Sequence, residues 1–415
     1  MKMKRKIVCL AIVVCLVALC FSFLTSCTPR EETLRVLTQG EYLSKKTLQD
    51  FKTWYKEKTG KNVVVKNVEV ETVEEMYTLI KVKHDDFDLI CPSDYIVERM
   101  RKESLLKPFS TETAEILNAA INPDIIALAK SAYDPEFLYS MPYMLGTLGI
   151  MFNVTSDKTD GIQAAEMQYN SWTSMWSEAN EDKIFMKDSE RDAYTVALLY
   201  AFREELKAAS LNYTDYTTPE YQALLTRIFS EGSDTLLDKA REVLSAQEEL
   251  VYDYEVDSGK DDMVMDEGEN GYFGLFWSCD AGYVINEGSD ASKKLCYWVP
   301  EEGGNVWIDN FCIPTTVKNE EMANLFVQYL CEEDVAYECM DYVGSTTGVK
   351  AAAEQYMADI LEDEEFLEGT YEGFLDMYKE MMLPTEKTLS RCGVMRDLGV
   401  YNDKITDMWV AVTSR

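Results

Sequence analysis

The side chains best placed for chemistry form four short clusters of aromatic and acidic residues. These are Glu41-Tyr42, Ser93-Asp94-Tyr95, Phe276-Trp277-Ser278 and Trp307-Ile308-Asp309. Carboxylates interleaved with Tyr and Trp suit an aliphatic chain that carries ammonium groups. Removing an ammonium from water costs several kcal/mol unless a carboxylate pairs with it. The methylenes between ammoniums pack on flat apolar faces, and each aromatic face attracts a cation by roughly 0.5–2 kcal/mol. A slot lined with Trp and Tyr and furnished with spaced Asp or Glu is complementary to a linear polyamine. The spacing alone also fits a plainer arrangement, with Trp277 and Trp307 in the core and the acids at the surface, because Trp is usually largely buried.

Catalytic constellations are missing. The single histidine, His84, sits in Lys81-Val82-Lys83-His84-Asp85-Asp86, a polar helix end and a poor setting for a base or a metal ligand. The sequence has no Cys-x-x-Cys pair, no His-Glu-x-x-His and no phosphate-binding glycine loop, so neither a metal nor a cofactor is expected. Acid pairs for glycoside hydrolysis abound, but nothing marks one pair out. Binding therefore outranks catalysis.

Those clusters need elements to hold them. Leu34 to Gln39 predicts a strand, followed by a helix from about Ser44 to Lys58 that stops at Gly60. Asn62 to Val70 alternates apolar and polar residues and predicts a second strand. Thr72-Val73-Glu74-Glu75 is a capping box for a helix that places Met76, Leu79 and Ile80 on one face. Phe87 to Cys91 is a short apolar strand, with Ser93 as cap of the helix beyond. This rhythm predicts a parallel sheet covered by helices, with Gly40-Glu41-Tyr42 and Ser93-Asp94-Tyr95 at strand ends, the edge where such sheets bind ligands. A second α/β region follows, with a strand at Leu148–Phe152 and helices at about Ala193–Ala208 and Pro219–Phe229. The acidic stretches Asp253–Asn270 and Asp359–Glu368 read as solvated loops or helix faces. Trp307–Pro314 predicts a strand returning to the first region, and Glu320–Cys331 an amphipathic helix.

The chain has 415 residues, 47% hydrophobic and 12% aromatic, enough for more than one domain. With 40 Lys+Arg against 74 Asp+Glu its formal net charge is -34, which disfavours nucleic acid and anionic lipid as partners and draws cations toward any cleft. An acidic exterior is also a common route to solubility. At the N-terminus Lys2, Lys4, Arg5 and Lys6 precede the apolar run Ile7–Phe23 and then Leu24-Thr25-Ser26-Cys27. That order predicts an export signal of the lipoprotein type, cleaved before a lipidated Cys27, rather than a retained span. The seven cysteines beyond Cys27 suggest no particular disulfide.

At these same residues the chain resembles the spermidine/putrescine-binding proteins of ABC importers. The resemblance is carried in order by Glu41-Tyr42, Phe87-Asp88-Leu89-Ile90-Cys91-Pro92-Ser93-Asp94-Tyr95, Tyr139-Ser140-Met141-Pro142-Tyr143, Ser171-Trp172-Thr173-Ser174-Met175-Trp176, Phe276-Trp277-Ser278 and Gly303-Gly304-Asn305-Val306-Trp307-Ile308-Asp309-Asn310. It implies an α/β fold of the two-lobed periplasmic-binding-protein-like type (type II), with the ligand cleft between the lobes. By position, Glu41, Tyr42, Ser93, Asp94 and Tyr95 are expected on the first-lobe wall. Trp277 and Trp307 are expected to sandwich the ligand and Asp309 to pair with an ammonium. Asp192 falls where the family has a glutamate for the distal amine. The chain departs from the family at Gln39 and Gly40, which stand for Trp-Thr, and at Ser189, which stands for an aspartate. It departs again at Ser345, which stands for a tyrosine, and at Met395, which stands for a glutamine.

The expected organisation is a signal peptide at 1–27, a tether at 28–32, one lobe from 33–140 and 308–348, and the other from 141–307 and 349–415. The expected function is that of a monomeric, lipid-anchored, extracytoplasmic protein that captures putrescine or spermidine and delivers it to an importer permease. The alternatives are the same fold holding another cationic amine, a sugar or a peptide, or an extracytoplasmic acid-pair hydrolase.

Overall fold

A computed structural model describes residues 32–153, 170–255, 258–265, 273–289 and 292–414. The expected signal, Cys27 and all of the tether except Glu32 lie outside these residues. No helix among the described residues is long and apolar enough to cross a membrane.

Three parallel strands open the fold, β1 (Glu32–Gln39), β2 (Val63–Val70) and β3 (Leu89–Ile90), in the order β2-β1-β3. The helices Lys45–Thr59 and Val73–Lys81 return the chain between them. Ser44 and Thr72 cap these helices, accepting the N–H groups of Thr47 at 2.9 Å and Glu75 at 3.2 Å. Leu34, Val36, Leu37, Phe51, Met76 and Ile80 are buried between sheet and helices.

A two-stranded antiparallel pair, β4 (Leu106–Lys107) with β11 (Ile313–Pro314), lies beside this sheet. The second, larger sheet has the order β13-β10-β5-β8-β6-β7, with β9 and β12 also paired to β5. Its strands are β5 (Met141–Asn153), β6 (Ile184–Lys187), β7 (Val251–Glu255), β8 (Phe273–Trp277), β9 (Leu295–Trp298), β10 (Gly304–Phe311), β12 (Thr346–Thr347) and β13 (Cys392–Gly393). Strands β5 and β10 are antiparallel and tie the two sheets together. The first half of β5 pairs with β10 and its second half with β8. Strand β10 leaves that sheet and runs into the first, where Cys312 bridges Ile90 and Asn310 N–H donates to Pro92 at 2.9 Å.

Four local expectations are corrected. The strand expected over Leu148–Phe152 is 13 residues long and begins at Met141. Pro142 lies where β5 bulges against Asp309/Asn310, a position that tolerates proline. The helix expected over Ala193–Ala208 is two, Glu190–Ala201 and Arg203–Ala209. They part at Phe202, where the Arg203 guanidinium takes the Tyr200 carbonyl at 2.8 Å. Ser93 sits at the N-cap of the helix Asp94–Lys102 but makes no side-chain cap bond; its hydroxyl goes to Asp309 instead. The acidic stretch from Asp253 is not simply solvated: Glu255 ends β7 buried, and the helix Ser258–Met265 buries Lys260 and Met263.

Candidate ligand-binding site

The C-terminal ends of β1, β2 and β3 face those of β6, β7 and β8 across a cleft. In open α/β sheets this edge collects ligands, because the strands deliver side chains and helix starts to one place. The cleft holds about 1040 Å³ of empty space, part of it continuous with solvent. All nine expected ligand-binding residues line it: Glu41, Tyr42, Ser93, Asp94, Tyr95, Asp192, Trp277, Trp307 and Asp309.

Alternation along β10 aims Asn305, Trp307 and Asp309 to one face, that of the cleft. The bulge beside Asp309 re-aims the strand where it enters the first sheet. Trp307 is buried and its indole N–H donates to the Thr147 carbonyl at 3.2 Å. Gly146 makes room for that ring: a Cβ there would meet Trp307 Cζ2 at 2.4 Å. Trp307 is thus both core and cleft wall, so the two readings of its sequence position are not exclusive. Trp277, half-buried at the end of β8, donates its indole N–H to Asp192 at 3.1 Å.

Asp309 is the centre of the site. It accepts the Tyr42 hydroxyl on one oxygen and the Ser93 hydroxyl at 2.6 Å on the other. Burial pushes its carboxyl up to about 6, against the pull of those two hydroxyls, and the nearby Asp192 adds to the rise. Asp192 is raised chiefly by burial, opposed by its bonds from Ser189 at 2.8 Å and Trp277. Ser189 therefore acts as a neutral donor to Asp192. Asp94 takes the backbone N–H groups of Tyr95 at 2.6 Å and Ile308 at 3.3 Å, so it also fixes the start of its helix against β10. Burial holds its carboxyl well above the usual range.

Sequence reasoning missed charges on both walls of the cleft. Glu74, from the helix after β2, accepts the Tyr95 hydroxyl at 2.6 Å, and burial raises its carboxyl. Arg191 stacks on the Tyr95 ring at 4.6 Å and binds Asn402 at 2.9 Å and the Arg396 carbonyl at 3.0 Å. Lys260 reaches Glu41 at 3.3 Å. Beneath the cleft, Lys187 is fully buried between Glu255 at 3.2 Å and Asp280 at 3.1 Å, with its ammonium 4.4 Å from the Trp277 ring. Burial alone would lower that ammonium; Asp280 and Glu255 outweigh it and hold it above its ordinary value. Two amide oxygens on the cleft wall, Gln39 Oε1 and Asn305 Oδ1, are buried without a hydrogen-bond partner among the described residues.

Residues 50–367 match the family model of the bacterial extracellular solute-binding protein. The chain belongs to this family. A solute-binding protein works outside the cytoplasm, and its cleft holds a ligand rather than transforming one. This one is 25% identical over 334 residues to spermidine/putrescine-binding periplasmic protein 1 of Haemophilus influenzae, covering 80% of this chain and 79% of that one. It is 24% identical over 341 residues to the putrescine-binding periplasmic protein PotF of Escherichia coli, covering 80% and 82%. Its fold matches a putative spermidine/putrescine ABC transporter structure from Listeria monocytogenes with a TM-score of 0.68 at 22% identity, covering 92% of this chain and 99% of the other. The TpPotD lipoprotein of Treponema pallidum matches with a TM-score of 0.66 at 20% identity, covering 92% and 100%. The fold of this solute-binding protein is that of the type II periplasmic binding proteins.

Proposed function

We propose that this solute-binding protein captures a linear polyamine of the putrescine/spermidine class and delivers it to an ABC importer. The observation that carries the reading is Asp309, a buried carboxylate on the cleft wall whose partners are the neutral hydroxyls of Tyr42 and Ser93. An ammonium supplies the charge that such a carboxylate lacks. Trp277 and Trp307 give the methylenes apolar faces, and Asp192 waits for a second ammonium. The unpartnered Gln39 and Asn305 oxygens favour a ligand rich in N–H donors and poor in acceptors. Micromolar capture needs about -8 kcal/mol, which two paired ammoniums and two indole faces supply after ordering costs.

The lobes would be residues 33–140 with 308–348 and residues 141–307 with 349–415, hinged where β5 and β10 pass between the sheets. A ligand that touches both walls binds the closed form better and shifts the population toward it. Cleavage before Cys27 and its lipidation would tether a monomer to the outer face of the membrane, through residues 28–32. Titration calorimetry of residues 28–415 against putrescine, spermidine, glucose and a neutral dipeptide tests the reading. Micromolar heats confined to the amines are expected; binding of glucose or the dipeptide alone would overturn it.

A further inference from the structure

The carboxylates of the cleft differ in what already neutralises them. Glu41 is engaged by Lys260 at 3.3 Å and Asp280 by Lys187 at 3.1 Å, so both face a cation of the chain itself. Asp94 spends its oxygens on two backbone N–H groups. Glu74 is only half-buried; it accepts the Tyr95 hydroxyl, and the Arg191 guanidinium stacked on that ring lies near enough to act on its charge. Glu71 and Asp188 are exposed at the rim, and Asp188 accepts the Trp409 indole N–H at 2.6 Å. Asp309 and Asp192 remain, buried carboxylates whose hydrogen bonds come from neutral side chains.

Lys260 is the unusual member of this set. Its side chain is only 4% exposed although it comes from an acidic segment, and its ammonium lies 5.2 Å from the Tyr283 ring at the Glu41 end of the cleft. It therefore occupies, as part of the protein, a place with the same surroundings a ligand ammonium would seek: a carboxylate and an aromatic face. A ligand ammonium brought to that end would meet a carboxylate already paired and a like charge beside it.

We infer that Lys260 is a specificity-determining residue that plugs the Glu41 end of the cleft, so that the site accepts a diamine and discriminates against a triamine. This rests on the polyamine reading and narrows it. Two ammoniums go to Asp309 and Asp192, and the third ammonium of a longer ligand, reaching the Glu41 end, meets an acid already paired with Lys260.

Titration calorimetry with putrescine and spermidine tests the inference on residues 28–415 as wild type, Lys260→Gln and Lys260→Arg, with a thermal melt of each. Wild type is expected to bind putrescine at least tenfold more tightly than spermidine. Lys260→Gln frees Glu41 and should tighten spermidine binding at least tenfold, closing the gap. Lys260→Arg keeps a cation beside Glu41 and should keep the diamine preference. Wild type binding spermidine as tightly as putrescine would overturn the inference and leave the polyamine reading standing. So would a Lys260→Gln variant, folded by its melt, with an unchanged ratio. Folded wild type that binds neither amine would overturn both.

Discussion

Ser93 and Asp309 meet twice, 216 residues apart in the chain: their backbones form an isolated antiparallel bridge, and Ser93 Oγ donates to Asp309 Oδ1 at 2.6 Å. The backbone contact fixes the crossing strand β10 to the loop after β3, and the side-chain contact orients the carboxylate. Asp309 is thus held in one geometry before a ligand arrives, which limits the ordering cost of binding.

That carboxylate titrates at about 6. An ammonium binds its ionised form, so putrescine affinity should be level above pH 7 and fall below pH 6, by up to about tenfold per pH unit. The elevated Asp192 should steepen the fall. For the ligand-free protein the sign reverses. A raised carboxyl binds more protons folded than unfolded between about pH 4 and 6. Its contribution therefore makes the empty protein more stable as pH drops through that window. Calorimetric affinities and melts from pH 5 to 8, repeated with Asp309→Asn to remove the contribution, check both signs.

Trp277 supplies an apolar wall and also an N–H to Asp192. Trp277→Ala should weaken putrescine binding about 10- to 100-fold, roughly 1.4–2.8 kcal/mol. Trp277→Phe keeps the face and loses the donor, and should fall between the two. Calorimetry on the pair separates stacking from orientation of the acid.

Glu98, on the helix after β3, takes Arg396 through two bonds at 2.7 and 3.1 Å and Asp397 N–H at 2.9 Å. Burial would raise this carboxyl, but these partners hold it below its usual value. Arg396 precedes the helix Val400–Thr413, which packs on the helices Glu190–Ala201 and Asp234–Gln247 beside the larger sheet. The pair therefore joins the two walls of the cleft from outside it. Glu98→Gln should weaken putrescine binding about 3- to 20-fold without changing which amine is preferred. Small-angle scattering of the liganded variant should show a larger share of open molecules.

Lys187 is ion-paired with both buried Glu255 and buried Asp280. Lys187→Met removes the ion-pair partner of two buried acids beneath Trp277 and should cost about 3–5 kcal/mol of stability. Urea denaturation measures this directly, and an unchanged midpoint would mean that the trio contributes nothing.

The first sheet and its ligand edge were legible because Leu34–Gln39 and Asn62–Val70 carry their own periodicity and their helices carry local caps. Trp307 and Asp309 were legible as a pair only through the resemblance, since their spacing alone also fitted a core Trp beside a surface acid. Lys260 was not. Its acidic neighbours read as solvent-facing, and its burial depends on β7 joining β6 and on its helix packing against Ser278–Asn286. Arg191 was passed over for the same reason, since its partners Asn402 and Arg396 lie some 200 residues away. The misread role of Ser93 shows the limit of local patterns: a serine before a helix signals a cap, and only the fold reveals that Asp309 competes for its hydroxyl.

The most direct test of the central claim is putrescine titration of residues 28–415 at pH 7.5 as wild type and as Asp309→Asn. The substitution keeps the size of the side chain and its place between Tyr42 and Ser93, and removes the charge. Wild type should bind with micromolar affinity, and the variant should lose about 2–5 kcal/mol of it, at least 30-fold, while its melting temperature is held or raised. Equal putrescine binding by both proteins, or none by folded wild type, would contradict an ammonium at Asp309.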